Sequence, residues 1–430
     1  MHNIALPLFY RDINLAQKFT SKELHCRFLD SLDLNPSLAP LIHTLCLTEF
    51  LGSGPSSPLP QALLLLPHLR SLHLQLGQMK QLDDHDIRNI FFGMPDLETL
   101  VIENTCRETH PNYLSDVFGA LGSVDPAISS KIRSLTCRSD SDSTQLWFPA
   151  NRLAFVDKNI FGNVLQRFPK LQALDLAHTP VDPKSLLAIS HDARLHFLRI
   201  TSCQDNDSST LAQILATHPS VNSSLVVFDG SGVRFTQQET STILECLPSS
   251  LRSLNLSSST MMSGHVPQLQ KLCHHLEELS LGYGLTMDDV EDMLMRPYFV
   301  FSAAVPRLLS NRPRNLKDKP EHELVLGPMR DAIAVCKLRR RLASVSSTHC
   351  QNSTDRSRVK FLNVSSLNEE EQGRITNSVI LGEHSMPLKR IAASNISTED
   401  SHVLQKLCGG CGWRDRWCNG MFWVEREQGV

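Results

Sequence analysis

One phrase constrains this chain more than any other: leucine, two residues, leucine, one residue, leucine, returning about every 25–30 residues. It reads Leu69-Arg-Ser-Leu72-His-Leu74, Leu97-Glu-Thr-Leu100-Val-Ile102, Leu171-Gln-Ala-Leu174-Asp-Leu176, Leu195-His-Phe-Leu198-Arg-Ile200, Leu251-Arg-Ser-Leu254-Asn-Leu256 and Leu276-Glu-Glu-Leu279-Ser-Leu281. Weaker copies begin at Ile42, Ile132, Leu225 and Val359, and Leu388 to Ile391 is one more candidate. The last two apolar positions alternate with polar ones, the period of a strand with one buried face. A turn and an amphipathic helical stretch follow, and then very often a proline: Pro95, Pro169, Pro219 and Pro248. Proline lacks an amide donor and biases the residue before it toward extended geometry, so it stops each helix ahead of the next strand. Every unit is therefore a strand, a turn and a returning helix.

Self-similarity at this period predicts an α/β leucine-rich-repeat solenoid of the ribonuclease-inhibitor-like or cysteine-containing class. Its parallel sheet lies on the concave side and its helices on the convex side. Such a fold grows along one axis, so 430 residues need not divide into several globular domains. The expected organisation is an N-terminal cap over 1–40, repeats over 41–295, a basic Pro/Ser-rich and partly disordered insertion over 296–357, and C-terminal repeats with an aromatic cap over 358–430. At 41% hydrophobic and 20% charged, the chain has material for a continuous core. Its net charge of -3 does not mark the whole molecule as a polyelectrolyte binder.

The repeat leucines belong to the core, because a parallel sheet backed by helices buries that face. Contact with a partner falls to the alternating positions that point out of the sheet. The residues expected to bind are His73, Gln75, Glu103, Asp175, Arg199, Asn255 and Glu278. Together with small neighbours such as Ser71, Thr99 and Ser253 they form a mixed surface with no run of one charge, and they specify no ligand.

Twelve scattered cysteines point to buried, reduced thiols in an intracellular protein, cytoplasmic or nuclear. The start of the chain has no basic, apolar signal pattern, and no window approaches the ~18 apolar residues of a membrane helix. Phosphate-binding glycine loops, HExxH and GxSxG are absent, so neither enzyme activity nor a cofactor is expected. Between Arg296 and Arg341 stand eleven Lys/Arg and four Asp/Glu, with five prolines. Three readings of this stretch stay open: an insertion, a basic segment for an acidic partner or nuclear import, or degraded repeats in an imperfect gene product. A charge run is usually a solvated face, and nucleic acid is not an expected partner. Cys408, Cys411 and Cys418 lack a clean second pair at zinc spacing, so no metal is expected there. The surrounding Trp413, Trp417 and Trp423 suit an aromatic strand closing the last repeat.

The opening adds a resemblance. Leu8-Phe9-Tyr10-Arg11-Asp12-Ile13-Asn14-Leu15, followed by Asn35-Pro36-Ser37-Leu38-Ala39 and the first repeat, resembles the region just after the F-box in fungal F-box proteins. Cys411-Gly-Trp413 and Phe422-Trp423-Val424 are similar to the end of such chains. The resemblance implies a substrate receptor of a cullin–RING ubiquitin ligase, whose adaptor docks on the F-box. That module takes ~40–50 residues of helical bundle, and only seven residues precede Leu8 here. The expected function is a non-enzymatic protein-interaction scaffold with protein partners on the concave face, and the ligase adaptor as partner only with an F-box upstream. The alternatives are an enzyme with dispersed catalytic residues, or a truncated gene product without activity.

Overall fold

The computed structural model describes residues 10–14, 30–32, 34–47, 63–75, 94–104, 113–124, 131–139, 158–179, 181–201, 208–295, 357–377, 380, 387–393, 413–418 and 421–426. They fall into two compact units, Met1–Val233 with Cys246–Pro248, and Arg234–Glu245 with Ser249–Val430. Cys408, Cys411, the helical stretch expected ahead of Pro95 and the basic segment up to residue 356 lie outside the described residues.

Among its described residues, unit 1 carries eight strands: β1 (Asp12–Asn14), β2 (Thr44–Cys46), β3 (Ser71–Gln75), β4 (Thr99–Asn104), β5 (Ser134–Ser139), β6 (Ala173–Leu176), β7 (Phe197–Ile200) and β8 (Val227–Asp229). Each pairs in parallel with the next, and the phrase sets the register. Leu45, Leu72, Leu100, Leu135, Leu174, Leu198 and Phe228 lie opposite one another in turn. All of them are buried. One-residue slippage would turn this whole row to solvent, which is why the register is fixed.

Helices α1 (Tyr113–Gly122), α2 (Lys158–Arg167) and α3 (Ser208–Thr217) return the chain between strands. Their inward faces complete the core: Phe118 of α1 meets Phe161 of α2 edge to face at 4.8 Å between ring centres. Two repeats depart from the expected plan. The short step between β6 and β7 uses a 3-10 helix, Pro183–Ala188, whose start is capped by Asp182 accepting from the Lys184 amide at 2.8 Å. After α3, Pro219 does not lead straight into a strand; it opens one more helical turn, α4 (Pro219–Asn222). Proline is well placed at a first helical position, where its missing donor has no partner to lose.

Unit 2 continues the pattern with parallel strands β9 (Ser253–Asn255), β10 (Glu278–Ser280), β11 (Phe361–Asn363) and β12 (Arg390–Ala393). Leu254, Leu279, Leu362 and Ile391 are its in-register core row. Its helices are α5 (Gln237–Cys246), α6 (Val266–Cys273), α7 (Met287–Met295) and the short α8 (Glu369–Gly373). Capping boxes start two of them: Thr236 with Glu239, and Thr286 with Asp289, exchange side-chain and amide hydrogen bonds. The closing element is a hairpin rather than a single strand. β13 (Trp413–Cys418) pairs antiparallel with β14 (Met421–Arg426), which in turn lies antiparallel on β12. Two residues separate β13 from β14, too few for the crossover a parallel pair needs. Phe422 and Val424 are buried against the last repeat.

In both units the sheet and its buried leucines are those of an α/β leucine-rich-repeat solenoid.

Candidate functional site: the open face of the sheet

Alternation along each strand sends the leucines into the core and the residues between them to the helix-free face. Because the strands are in register, those residues form rows about 4.8 Å apart from strand to strand. In unit 1 the first row is Asp12, Thr44, Ser71, Thr99, Ser134, Ala173, Phe197 and Val227. The second is Cys46, His73, Val101, Thr136, Asp175, Arg199 and Asp229.

A ladder of opposite charges crosses four neighbouring strands of this face. Arg138 at the end of β5 donates to Asp175 Oδ2 of β6 from Nε at 3.0 Å and from a terminal nitrogen at 2.6 Å. Arg199 of β7 approaches the same oxygen at 3.5 Å and donates from Nε to Asp229 Oδ2 of β8 at 2.8 Å. The Arg199 guanidinium also lies 5.7 Å from the centre of the Phe197 ring. Glu103 of β4 extends the series, in register with Arg138. His73 stands beside it; burial holds its ring below the usual histidine range, with Glu103 pulling upward and Arg138 downward.

The two aspartates each do two jobs. Asp175 Oδ1 accepts from the Ala177 amide at 3.1 Å, and Asp229 Oδ1 from the Ser231 amide at 3.2 Å. Asn255 and Asn363 make the same turn in unit 2, accepting from Ser257 at 3.2 Å and Ser365 at 3.0 Å. An Asp or Asn side chain that bonds two residues ahead turns the chain out of the strand. Asparagine suffices for the turn alone. Where an arginine stands on the neighbouring strand, aspartate supplies a second, charged oxygen.

On unit 2 the open face carries Ser253, whose hydroxyl donates to Glu278 Oε2 at 2.8 Å, and the Arg390–Glu425 pair at 3.3 Å. Phe361 stacks on Trp423 with ring centres 5.5 Å apart.

The expected binding residues thus divide. His73 and Glu103 are neighbours on β3 and β4 of unit 1, Arg199 lies three strands away on β7, and Asn255 and Glu278 are on the adjacent strands β9 and β10 of unit 2. Two are corrected as to exposure. Asp175 is only 3% exposed because two guanidinium groups cover it, and Gln75, ending β3 in register with Glu103, is 6% exposed. Arg138, Asp229, Phe361 and Trp423 were not among the expected contacts. Comparing the same register position from one repeat to the next would have found the first two; the aromatic pair depends on an antiparallel closing strand that no repeat announces.

A serine–histidine pair bears on the enzyme alternative. Ser241 Oγ and His265 Nε2 are 2.9 Å apart, the reach of a nucleophile and its base. However, the Met262 amide donates to His265 Nδ1 at 2.9 Å. Nδ1 is then the bare nitrogen, and Nε2 carries the proton, which it also directs at the Gln237 carbonyl at 3.2 Å. A protonated Nε2 cannot accept the serine proton, so this pair is a structural clasp between α5 and the start of α6. The buried Cys137 and Cys273 thiols are pushed up by burial, Cys273 to about 12, far from nucleophilic character. Among the described residues no three potential ligands gather to hold a metal, and no helix is long and apolar enough to cross a membrane.

No protein-family model matches the chain, and no curated protein matches it. Solved structures do. An internalin from Listeria monocytogenes is 13% identical over 60% of this chain and 66% of its own, just under two thirds, with a TM-score of 0.34. The complex of Rad7 and Elc1 in yeast is similar at 14% identity over 68% of this chain and 85% of that one, with a TM-score of 0.30. The leucine-rich-repeat-containing protein LegL7 from Legionella pneumophila is 14% identical over 85% of this chain and 97% of its own, with a TM-score of 0.37.

Proposed function

We propose that this protein is a non-enzymatic scaffold that binds another protein on the open face of its repeats. The observation that carries the reading is the charge ladder beside Phe197. Regular strands hold Arg138, Asp175, Arg199 and Asp229 at fixed spacing, with the apolar Ala173, Phe197 and Val227 in the adjoining row. An aromatic residue and half-exposed arginines fixed by neighbouring carboxylates are the usual anchors of protein interfaces. Each guanidinium is already oriented, so little side-chain freedom is lost on binding. His73 and Glu103 belong to the surrounding polar surface in this reading, Gln75 and Asp175 support it from below, and Asn255 and Glu278 belong to the open face of unit 2.

The finer reading is that of a substrate receptor related to F-box ubiquitin-ligase subunits, acting inside the cell. The opening phrase Leu8 to Leu15 and the run Asn35 to Ala39 support it. Affinity purification of the full chain with mass spectrometry, run beside Phe197→Glu and Arg199→Glu, tests both levels. A stable partner lost in both variants is the expected result, and co-recovered ligase adaptor subunits support the receptor reading. A partner set indifferent to both substitutions sinks the open-face assignment.

A further inference from the structure

The edge at which the strands begin is basic, in a chain whose net charge is -3. From β2 to β7, the residue just before each strand donates its backbone amide to the carbonyl of its counterpart in the preceding repeat. The bonds run His43 to Arg11 at 2.9 Å, Arg70 to His43 at 2.8 Å, Glu98 to Arg70 at 2.9 Å, Arg133 to Glu98 at 2.8 Å and Gln172 to Arg133 at 2.7 Å. His196 follows, bonded to Gln172 at 2.7 Å. These side chains therefore form a row along the edge, about 4.8 Å from strand to strand. A parallel row two residues earlier adds His68, Asp96, Lys131, Lys170 and Arg194.

Together the two rows hold six Lys/Arg against two acids. Asp96 is already taken by Lys131 at 3.0 Å and His68 at 3.3 Å. Arg11, Arg70, Arg133, Lys170 and Arg194 are exposed and have no acidic partner among the described residues. The corresponding rows of unit 2 repeat the bias with Arg252, Arg358, Lys360 and Lys389 against Glu277. A solvated edge needs charge, but nothing in the repeat demands one sign of it. Next to the unit 1 rows, on the open face, Thr44, Ser71, Thr99 and Ser134 present a line of half-buried hydroxyls.

We propose that this edge of unit 1 is a docking strip for an extended, Asp/Glu-rich segment of a partner protein, which lies across the starts of β1 to β7. The inference rests on reading the chain as a binding scaffold and names the chemistry of one partner segment. Guanidinium and ammonium groups pair with carboxylates, and the hydroxyl line supplies short-range donors to the same groups. Single-stranded nucleic acid fits less well, because its bases need aromatic stacking platforms and the described residues of the two rows include no Phe, Tyr or Trp.

The test uses the full chain and fluorescence anisotropy with a labelled peptide of alternating Glu and Ser, a neutral Gln–Ser counterpart, and labelled single-stranded and duplex oligonucleotides. The expected result is salt-sensitive binding of the acidic peptide alone, weakened about tenfold by Arg70→Glu with Arg133→Glu. Lys184→Glu, an exposed charge reversal on the 3-10 helix, leaves binding unchanged, and circular dichroism verifies that each variant is folded. Absence of acidic-peptide binding, an equal loss in Lys184→Glu, or tighter binding of an oligonucleotide overturns the proposal. Phe197→Glu separates the two readings. If it abolishes partner capture while the edge reversals change nothing, the open-face scaffold stands and the docking strip falls.

Discussion

Removing the carboxylate of Asp175 is the sharpest test of the charge ladder. Asp175→Ala strips the acceptor from the Ala177 amide and from two arginines at once. The turn bond contributes about 1 kcal/mol. Its arginine partners are 47% and 33% exposed, so water replaces much of what they lose, and each pair contributes about 0.5–1 kcal/mol. Against this stands the relief of no longer desolvating a carboxylate that is 4% exposed. The net expectation is a loss of about 2 kcal/mol, below the ~3–5 kcal/mol seen when a fully buried pair is broken. Asp175→Asn keeps the turn acceptor and should lose about half as much. Urea unfolding followed by far-UV circular dichroism gives both values, and a double-mutant cycle with Arg138→Ala isolates the pair. Asp175→Ala within about 0.3 kcal/mol of the parent, or strict additivity in the cycle, would refute the ladder as a stabilising and orienting device.

Three further outcomes follow from the geometry. A Cβ at Gly232 would stand 1.5 Å from the Thr201 carbonyl oxygen, whereas at Gly119 it would meet nothing within 4 Å. Thermal melts should therefore show Gly232→Ala severely destabilised and Gly119→Ala, on the exposed face of helix α1, stabilised by about 0.5–1 kcal/mol. Phe161→Ala empties a fully buried site against Phe118 and should cost about 3–5 kcal/mol in the same assay. Burial, and then the neighbouring His191, hold His218 below the usual histidine value of 6.5, against an upward pull from the Ile189 carbonyl. The unfolded chain thus binds a proton that the folded chain resists, and stability falls as pH drops through about 6.5, while it is unaffected well above that. His218→Gln should flatten that part of the stability–pH curve; an unchanged slope would remove His218 as its source.

The architecture was legible because one physical demand, a buried row every repeat, writes itself into the leucine phrase. Even the weak copies at Ile42, Ile132, Leu225, Val359 and Leu388 became strands, since their apolar spacing is intact although their leucines are not. The departures sit where the demand lapses. Pro183–Ala188 curls as a 3-10 helix within the short step from β6 to β7, and the last repeat closes with an antiparallel hairpin that needs no repeat phrase at all.

The open face was legible only as a set of positions. Alternation identifies Asp175 as outward-pointing, but whether it meets solvent depends on Arg138 and Arg199 in the adjacent repeats, 37 and 24 residues away along the chain. A repeat protein converts that sequence distance into one strand spacing, so its surface chemistry is read across repeats rather than along them. Read that way, Arg138, Asp175, Arg199 and Asp229 become a single alternating ladder. Arg11, Arg70, Arg133, Lys170 and Arg194, each unremarkable in its own segment, become one basic edge. The same register that buries the leucines is what allows side chains scattered over two hundred residues to act as one surface.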